Sequence, residues 1–339
     1  MNNPTITVIV PIYNVEKYVS KCLESLINQT YKNFVVFAIS DGSPDNSEEI
    51  VKKFASKDNR IKFFYKKNGG YGSVLEYAIK RVTTKYFLVC DPDDWLENTA
   101  LEELCNFSEK NNIDVLVGDK YKIYTQDKRK EYIKSFKEKD DIKPLRIYSD
   151  DKSIQKFAFG EGSPHAKLYK TSVAKDIKFP HNVRYTDTIL YVISLMKAKR
   201  VAYYNHALSY YLIDRPGNSM TDKSEAKIRD QIIVVKNIFS QVLECENKTS
   251  IIMYYLYYWI EILLGMMTQY SFNSFKHTYR KEIDNLISSL TFAKYKIKTV
   301  VYKQNSIKEK IIYKGLMGRY MRNIFINTYF FYKKLSHRE

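Results

Sequence analysis

Residues Tyr86 to Asn98 read YFLVCDPDDWLEN, an apolar run that ends in three carboxylates within four positions. Tyr86 to Cys90 has the length and apolarity of a strand buried on both faces. Asp91, Asp93 and Asp94 therefore stand where such a strand would leave its sheet. Like charges at the edge of a core are costly unless something positive meets them. A divalent cation held through oxygen atoms and shared with a phosphate group is one solution. A solvated acidic turn capping a helix near Asn98 is the other, and this stretch alone leaves both open.

The preceding residues repeat the pattern. Ile6 to Ile12, Phe34 to Ile39 and Ile61 to Tyr65 are short apolar runs, and each is followed by a polar cluster and a helical period. Val15, Val19, Cys22, Leu23 and Leu26 fall at helical spacing, with Asn14 placed to cap that helix. Asp45 or Ser43 is placed to cap the helix that carries Ile50, Val51 and Phe54. Further helices are expected over Val74 to Val82 and Thr99 to Lys110, with a strand at Ile113 to Val117. Strands alternating with helices imply an α/β fold, with a largely parallel sheet and helices on both faces. Ligands of such sheets bind beyond the carboxyl ends of the strands. The polar clusters Pro11–Asn14, Asp41–Ser43, Asn68–Gly70 and Asp91–Asp94 all fall there. No GxGxxG follows the first strand and no Walker A lysine is present, which disfavours dinucleotide binding and P-loop ATP hydrolysis.

Lys120 to Asp151 is polar and without sustained period, and reads as a hairpin plus a flexible loop. Tyr185 to Lys199 reads as an amphipathic helix with Asp187 in its first turn, and Val201–Tyr204 and Leu208–Leu212 as strands. Residues 215–220 form a loop with a Pro-Gly turn, and after Glu225 the pattern is helical. The formal charge of +17 is concentrated at the end: residues 276–339 hold 15 Lys/Arg against 4 Asp/Glu. Such a surface suits anionic lipid, a polyanionic acceptor or nucleic acid. The four cysteines show no CxxC spacing and read as small apolar residues of a reducing compartment. The N-terminal apolar run has no cationic segment before it and reads as a first strand, not a signal peptide. Ile251 to Met267 is short for a membrane span and contains Glu261, so a buried or interfacial helix is expected there. Tyr254, Tyr255, Tyr257, Tyr258 and Trp259 carry polar tips that favour a membrane or subunit interface.

In order, TVIVPIYNVEKYVSKCLESLINQTYKNF, SDGSPDNS, NGG and DPDDW resemble the signature of the inverting glycosyltransferases of family 2, which have the GT-A fold. The resemblance covers roughly residues 5–220. It implies a transferase domain over 1–224, with a variable acceptor-side region near 120–185. Residues 225–339 then form a basic, aromatic-rich helical domain for membrane association or oligomerisation. The implied partners are a UDP-sugar donor and a glycan or lipid-linked acceptor. The implied setting is the cytoplasmic face of a bacterial membrane, in capsule or exopolysaccharide synthesis. Pro11, Tyr13 and Asn14 resemble the edge of a uracil pocket, and Asp41 the acid that accepts from the base. Asn68 and Gly69 resemble the loop that closes over the nucleotide. Asp91 and Asp93 resemble a DxD pair, Asp91 on the nucleotide and Asp93 holding Mg²⁺ or Mn²⁺. Asp187 matches the family's general base, although a helix N-terminus alone would also favour an acid there.

Asp94, His165, Lys167 and Arg215 are the remaining candidates for donor or acceptor contact; a loop histidine is otherwise simply a surface residue. One departure concerns the helix after NGG. Where the family often has Ala-Arg-Asn, this chain has Val74, Leu75 and Glu76, so one expected cation is missing. Two other classes compete. A nucleic-acid or polyanion binder would use the basic end, but no RNP, KH, zinc-finger or helix-turn-helix signature accompanies it. A nucleotidyltransferase would show a glycine-rich basic loop after the first strand, which Ile12 to Lys17 does not supply.

Overall fold

The computed structural model describes residues 5–127, 129–215, 224–267, 279–304, 306–318 and 322–336. The chain divides into two compact units, residues 1–222 and 223–339.

The first unit is built on β1 (Ile6–Ile12), β2 (Phe34–Ser40), β3 (Ile61–Tyr65) and β4 (Tyr86–Val89), which pair in parallel in the order β3-β2-β1-β4. Between them run α1 (Val19–Ile27), α2 (Ser47–Lys57) and α3 (Tyr71–Arg81). Every residue of β1 is buried, as a parallel strand covered on both faces requires. Ile6, Val8, Val10 and Ile12 share one core with α1, α2 and the later helix α4 (Ala100–Asn111). Each such aliphatic side chain contributes about 1.5–3 kcal/mol by leaving water. The strands end nearly level: Ile12 pairs with Ser40 and Ser40 with Tyr65.

Beyond β4 the sheet becomes mixed. It continues through β9 (Lys167–Lys170), β6 (Val115–Ile123), β10 (Val201–Leu212) and β5 (Trp95–Leu96), with β7 (Lys130–Ile133) beside β6 and β8 (Ile147–Tyr148) beside β10. Strand β9 runs antiparallel to both β4 and β6, while β10 is parallel to β6. The chain returns to the middle of the sheet from an excursion at its far end, so β9 enters in the reverse direction. Phe87 of β4 stacks on Tyr169 of β9 with ring centroids 5.3 Å apart. The polar stretch after Lys120 does form a hairpin, β6 with β7. The two strands expected between 201 and 212 are one, with register shifts around Ala207.

Two local expectations are corrected. Asn14 does not cap α1, which begins at Val19 after Tyr18; Asn14 is left-handed (φ +53) and its N–H donates to Ser43 Oγ at 2.8 Å. Helix α6 (Asp187–Lys197), which follows the short α5 (Asp151–Lys156), is not amphipathic: Ile189 to Met196 are all buried. At α2 the cap position is held by Asn46 without a side-chain cap bond, while Asp45, one residue earlier, accepts the Ser47 N–H at 3.1 Å.

The described elements of the second unit are all helical, the main ones being Glu225–Glu244, Ser250–Met267, Arg280–Ser289, Lys294–Lys303, Ile307–Met317 and Arg322–Ser336. Ser250–Met267 is long and apolar enough to cross a membrane by length and composition, and 56% of it is buried within the protein. Its aromatic residues mostly serve the unit's own interior. Tyr254, Tyr255 and Tyr257 are buried, Tyr254 donates to Gln304 Oε1 at 3.0 Å, and Tyr257 meets Tyr313 edge-on at 5.9 Å. Only Tyr258 of these tyrosines is exposed.

Candidate active site

The ends of β1, β2 and β4 open into a cavity of about 570 Å³. Of the residues singled out in the sequence, Pro11, Tyr13, Asp41, Asn68, Asp91, Asp93, Asp94, His165, Asp187 and Arg215 line it. Asn14, Gly69 and Lys167 do not. Gly69 acts through its backbone, Lys167 lies buried behind the wall, and Asn14 is tied to Ser43. The Pro-Gly turn expected after Arg215 lies outside the described residues.

Asp41 follows directly on β2, and its N–H is fixed by the Ile12 carbonyl at 2.9 Å. Its carboxylate accepts from Lys66 Nζ at 2.5 Å and from the N–H groups of Gly69 at 3.0 Å and Gly70 at 2.7 Å. A carboxylate has about four lone-pair directions, so three are already used to hold the 66–70 loop. Lys66 also donates to Ser73 Oγ at 2.7 Å, joining this loop to α3. Gly70 is left-handed (φ +80), and a Cβ there would meet the Asn182 backbone at 3.0 Å. The Asn182 N–H donates to the Gly69 carbonyl at 2.7 Å. The glycine loop is thereby docked on the segment that leads into Asp187.

The second acidic group is arranged differently. Asp91 accepts from Tyr71 Oη at 2.7 Å, and Asp93 is ion-paired with Arg215. Asp94 accepts the Leu212 N–H at 2.8 Å and shares a hydrogen bond with His165 Nε2 at 2.6 Å. His165 is therefore a buried member of the acidic cluster and not a surface residue. Its Nδ1 lies 3.4 Å from Lys120 Nζ and its ring 4.5 Å from that of Tyr211. Burial, then Lys120 and Lys167, hold the imidazole well below its ordinary pKa, so it is neutral. Burial and the neighbouring Asp93 push the Asp91 carboxyl up to about 7. Burial, then Asp93 and Asp91, push Asp94 well above the usual carboxylate range.

Asp187 is the first residue of α6 and reaches the same cavity. Burial raises its pKa to about 6, opposed by the N–H groups of its own turn and by Lys167. The approach to it is tightly turned: Asn182 (φ +55) and Tyr185 (φ +65) are both left-handed. Gly72 is needed beneath this segment, because a Cβ would lie 2.6 Å from the Pro180 carbonyl. Lys167 donates to the Ser163 carbonyl at 2.5 Å and stands 4.9 Å over the Tyr191 ring. Burial lowers its pKa to about 7.

These residues fit a divalent cation. Asp91, Asp94 and His165 bring ligand-capable atoms within 4.8 Å of one another, an oxygen and imidazole set compatible with Mn²⁺. Asp93 lines the same cavity, and burial followed by the charge of Asp93 raises the pKa of Asp91 against the opposing Arg215. The position where the family often has arginine cannot assist, since Leu75 is wholly buried and Glu76 pairs with Lys80 and His181. Sequence reasoning missed Lys66, Tyr71, Lys120 and the 182–185 segment. A lysine just before NGG was the one available signal; the rest depend on contacts between distant parts of the chain.

Comparison with known proteins adds the following. The family description "Glycosyl transferase family 2" matches residues 7–178. Glycosyltransferase GlyA of Streptococcus pneumoniae serotype 4 is 32% identical over 214 residues, 61% of this chain but only 30% of GlyA. An uncharacterized glycosyltransferase of Haemophilus influenzae is 26% identical over 265 residues, covering 73% of this chain and 97% of that protein. Among solved structures, residues 1–349 of Staphylococcus aureus TarS in complex with UDP-GlcNAc superpose with a TM-score of 0.65 at 21% identity. That likeness covers 98% of this chain and 91% of the TarS chain, and it is one of fold.

Proposed function

The chain belongs to glycosyl transferase family 2, and from that premise we propose that it is an inverting, cation-assisted transferase that moves a sugar from a UDP-sugar to a hydroxyl of a glycan or lipid-linked acceptor. The observation that carries this reading is one cavity lined by both Asp93 and Asp187, with Pro11, Tyr13, Asp41 and Asn68 on its other side. Membership of the family also removes the main ground for a nucleotidyltransferase. The UDP-GlcNAc held by TarS supports a uridine nucleotide as donor. The acceptor would belong to a bacterial surface polysaccharide, assembled on the cytoplasmic side of the membrane.

In this mechanism Pro11, Tyr13 and Asn68 hold the nucleobase end. Asp41 contributes mainly by fixing the loop of Gly69 and Gly70, whose backbone approaches the nucleotide closely. Asp91, Asp94 and His165 would hold the cation, with Asp93 beside them in the cavity as a further oxygen donor. When bound, the cation neutralises charge on the leaving diphosphate. Arg215 offers a second positive group beside Asp93. Asp187, deprotonated above about pH 6, takes the proton of the acceptor hydroxyl. The freed oxygen attacks the anomeric carbon, and the bond from that carbon to the diphosphate breaks with inversion. The buried ammonium of Lys167 favours the ionised form of Asp187.

A thermal-shift screen of UDP-sugars with and without Mn²⁺ tests the reading. One UDP-sugar is expected to stabilise the chain only with metal, and UDP release should then require Asp93 and Asp187. Unchanged turnover in Asp93→Ala and Asp187→Asn would reject it.

A further inference from the structure

The aromatic residues of Ser250–Met267 are mostly internal, yet the second unit exposes large apolar side chains elsewhere. Phe292 is 65% exposed, Tyr295 80%, Ile307 75% and Ile311 57%, with Tyr302 at the edge of exposure. Tyr295 and Tyr302 fall at i and i+7 on the face of Lys294–Lys303 opposite its buried Ile297 and Val301, and Phe292 lies in the short turn Thr291–Ala293 just before it. Ile307 and Ile311 fall at i and i+4 on Ile307–Met317, opposite the buried Tyr313 and Leu316. The two helices meet where Lys310 Nζ lies 5.4 Å from the Tyr302 ring, while Lys298 Nζ lies 5.3 Å from the same ring. Lysines border both apolar rows: Lys294, Lys298 and Lys303 on the first helix, Lys308 and Lys314 on the second. Glu309 is the one acid between residues 291 and 318.

We propose that this face docks on an anionic phospholipid leaflet, with the apolar rows entering the headgroup–acyl boundary and the lysines meeting lipid phosphates. An aromatic and aliphatic ridge between cationic borders is the composition that lies in a membrane interface. A hydrated phosphate polymer would satisfy the lysines but would leave five large apolar side chains in water. A second copy of the chain is disfavoured by charge, because a two-fold contact sets the same patch against itself and would bring these lysines together. The surface belongs to the second unit alone, so the inference is independent of the reading of the cavity.

Co-sedimentation of the full chain with vesicles tests it. Binding is expected to phosphatidylcholine vesicles containing about 30% phosphatidylglycerol, to weaken as salt is raised, and to be absent with phosphatidylcholine alone. The triple substitution Tyr295→Ser, Ile307→Ser, Ile311→Ser should weaken binding by roughly tenfold or more, with Tm unchanged because the sites are exposed. Lys294→Glu with Lys298→Glu and Lys308→Glu should weaken it by roughly a hundredfold or more. Three outcomes overturn the proposal: no binding by the unaltered chain, equal binding to uncharged vesicles, or a serine variant that binds as tightly as the unaltered chain. The last result, together with displacement by soluble polyphosphate, would make the face a polyanion site read by charge alone.

Discussion

Asp41 and the Asp91–Asp94 group occupy equivalent places, at the ends of β2 and β4 two positions apart in the same sheet, yet they are in opposite electrostatic states. The Asp41 carboxylate is met by an ammonium and two backbone N–H groups of the loop it organises. The β4 group has three carboxylates, with Arg215 as the cation in contact, Tyr71 and the Leu212 N–H as donors, and a neutral imidazole. The difference separates shape from chemistry. An acid whose partners are all supplied by the protein fixes a loop; acids left short of positive charge are poised for something that arrives from outside. Asp187, raised to about 6 by its burial, belongs with the second kind.

The comparison can be broken first at Asp187. Asp187→Asn should lower turnover by roughly 10²–10⁴-fold while UDP-sugar and Mn²⁺ still stabilise the chain together, read by UDP release and thermal shift. Next, Asp93→Ala should abolish the metal-dependent part of that thermal shift and lower turnover by about 10²-fold or more. If Asp41→Asn had the same signature, the distinction between the two groups would be lost.

The third test concerns stability without metal. Asp41→Asn leaves Lys66 without its carboxylate and should cost about 3 kcal/mol. For Asp91 the sign reverses. Its folded pKa, about 7, lies above the ordinary carboxylate value, so the protonated state is the one that suits the fold. Stability is therefore present at low pH and declines as pH rises through about 7. In EDTA at pH 8, Asp91→Asn should raise Tm; a fall comparable to that of Asp41→Asn would show that Asp91 is also a structural acid. The smallest effect is a kinetic one. Turnover should fall as pH drops through about 6, where Asp187 takes up a proton, and Lys167→Met should move that acidic limb upward. An unmoved limb would place Lys167 in a packing role.

Much of this was legible before the fold was known. Strand ends show in sequence because apolar runs stop sharply, and acids placed there have few bland explanations when several strands repeat the pattern. Asp41, Asp91 and Asp93 stand out in that way, whereas Asp187, at the start of a helix, follows only from the family resemblance. What was not legible depends on pairing across distance. His165 looks like a loop residue until β9 is inserted between β4 and β6, and then it lies against Asp94, 71 positions earlier. The tyrosines of Ser250–Met267 look like an interface because composition records polar tips without saying where they point. Tyr254 and Tyr257 turn those rings inward, toward Gln304 and Tyr313. Periodicity likewise misjudged α6, whose buried residues run unbroken from Ile189 to Met196.

The bond from the Asn182 N–H to the Gly69 carbonyl, reinforced by the absence of a Cβ at Gly70, ties the glycine loop and the turn before α6 together. Neither can be re-aimed without dragging the other.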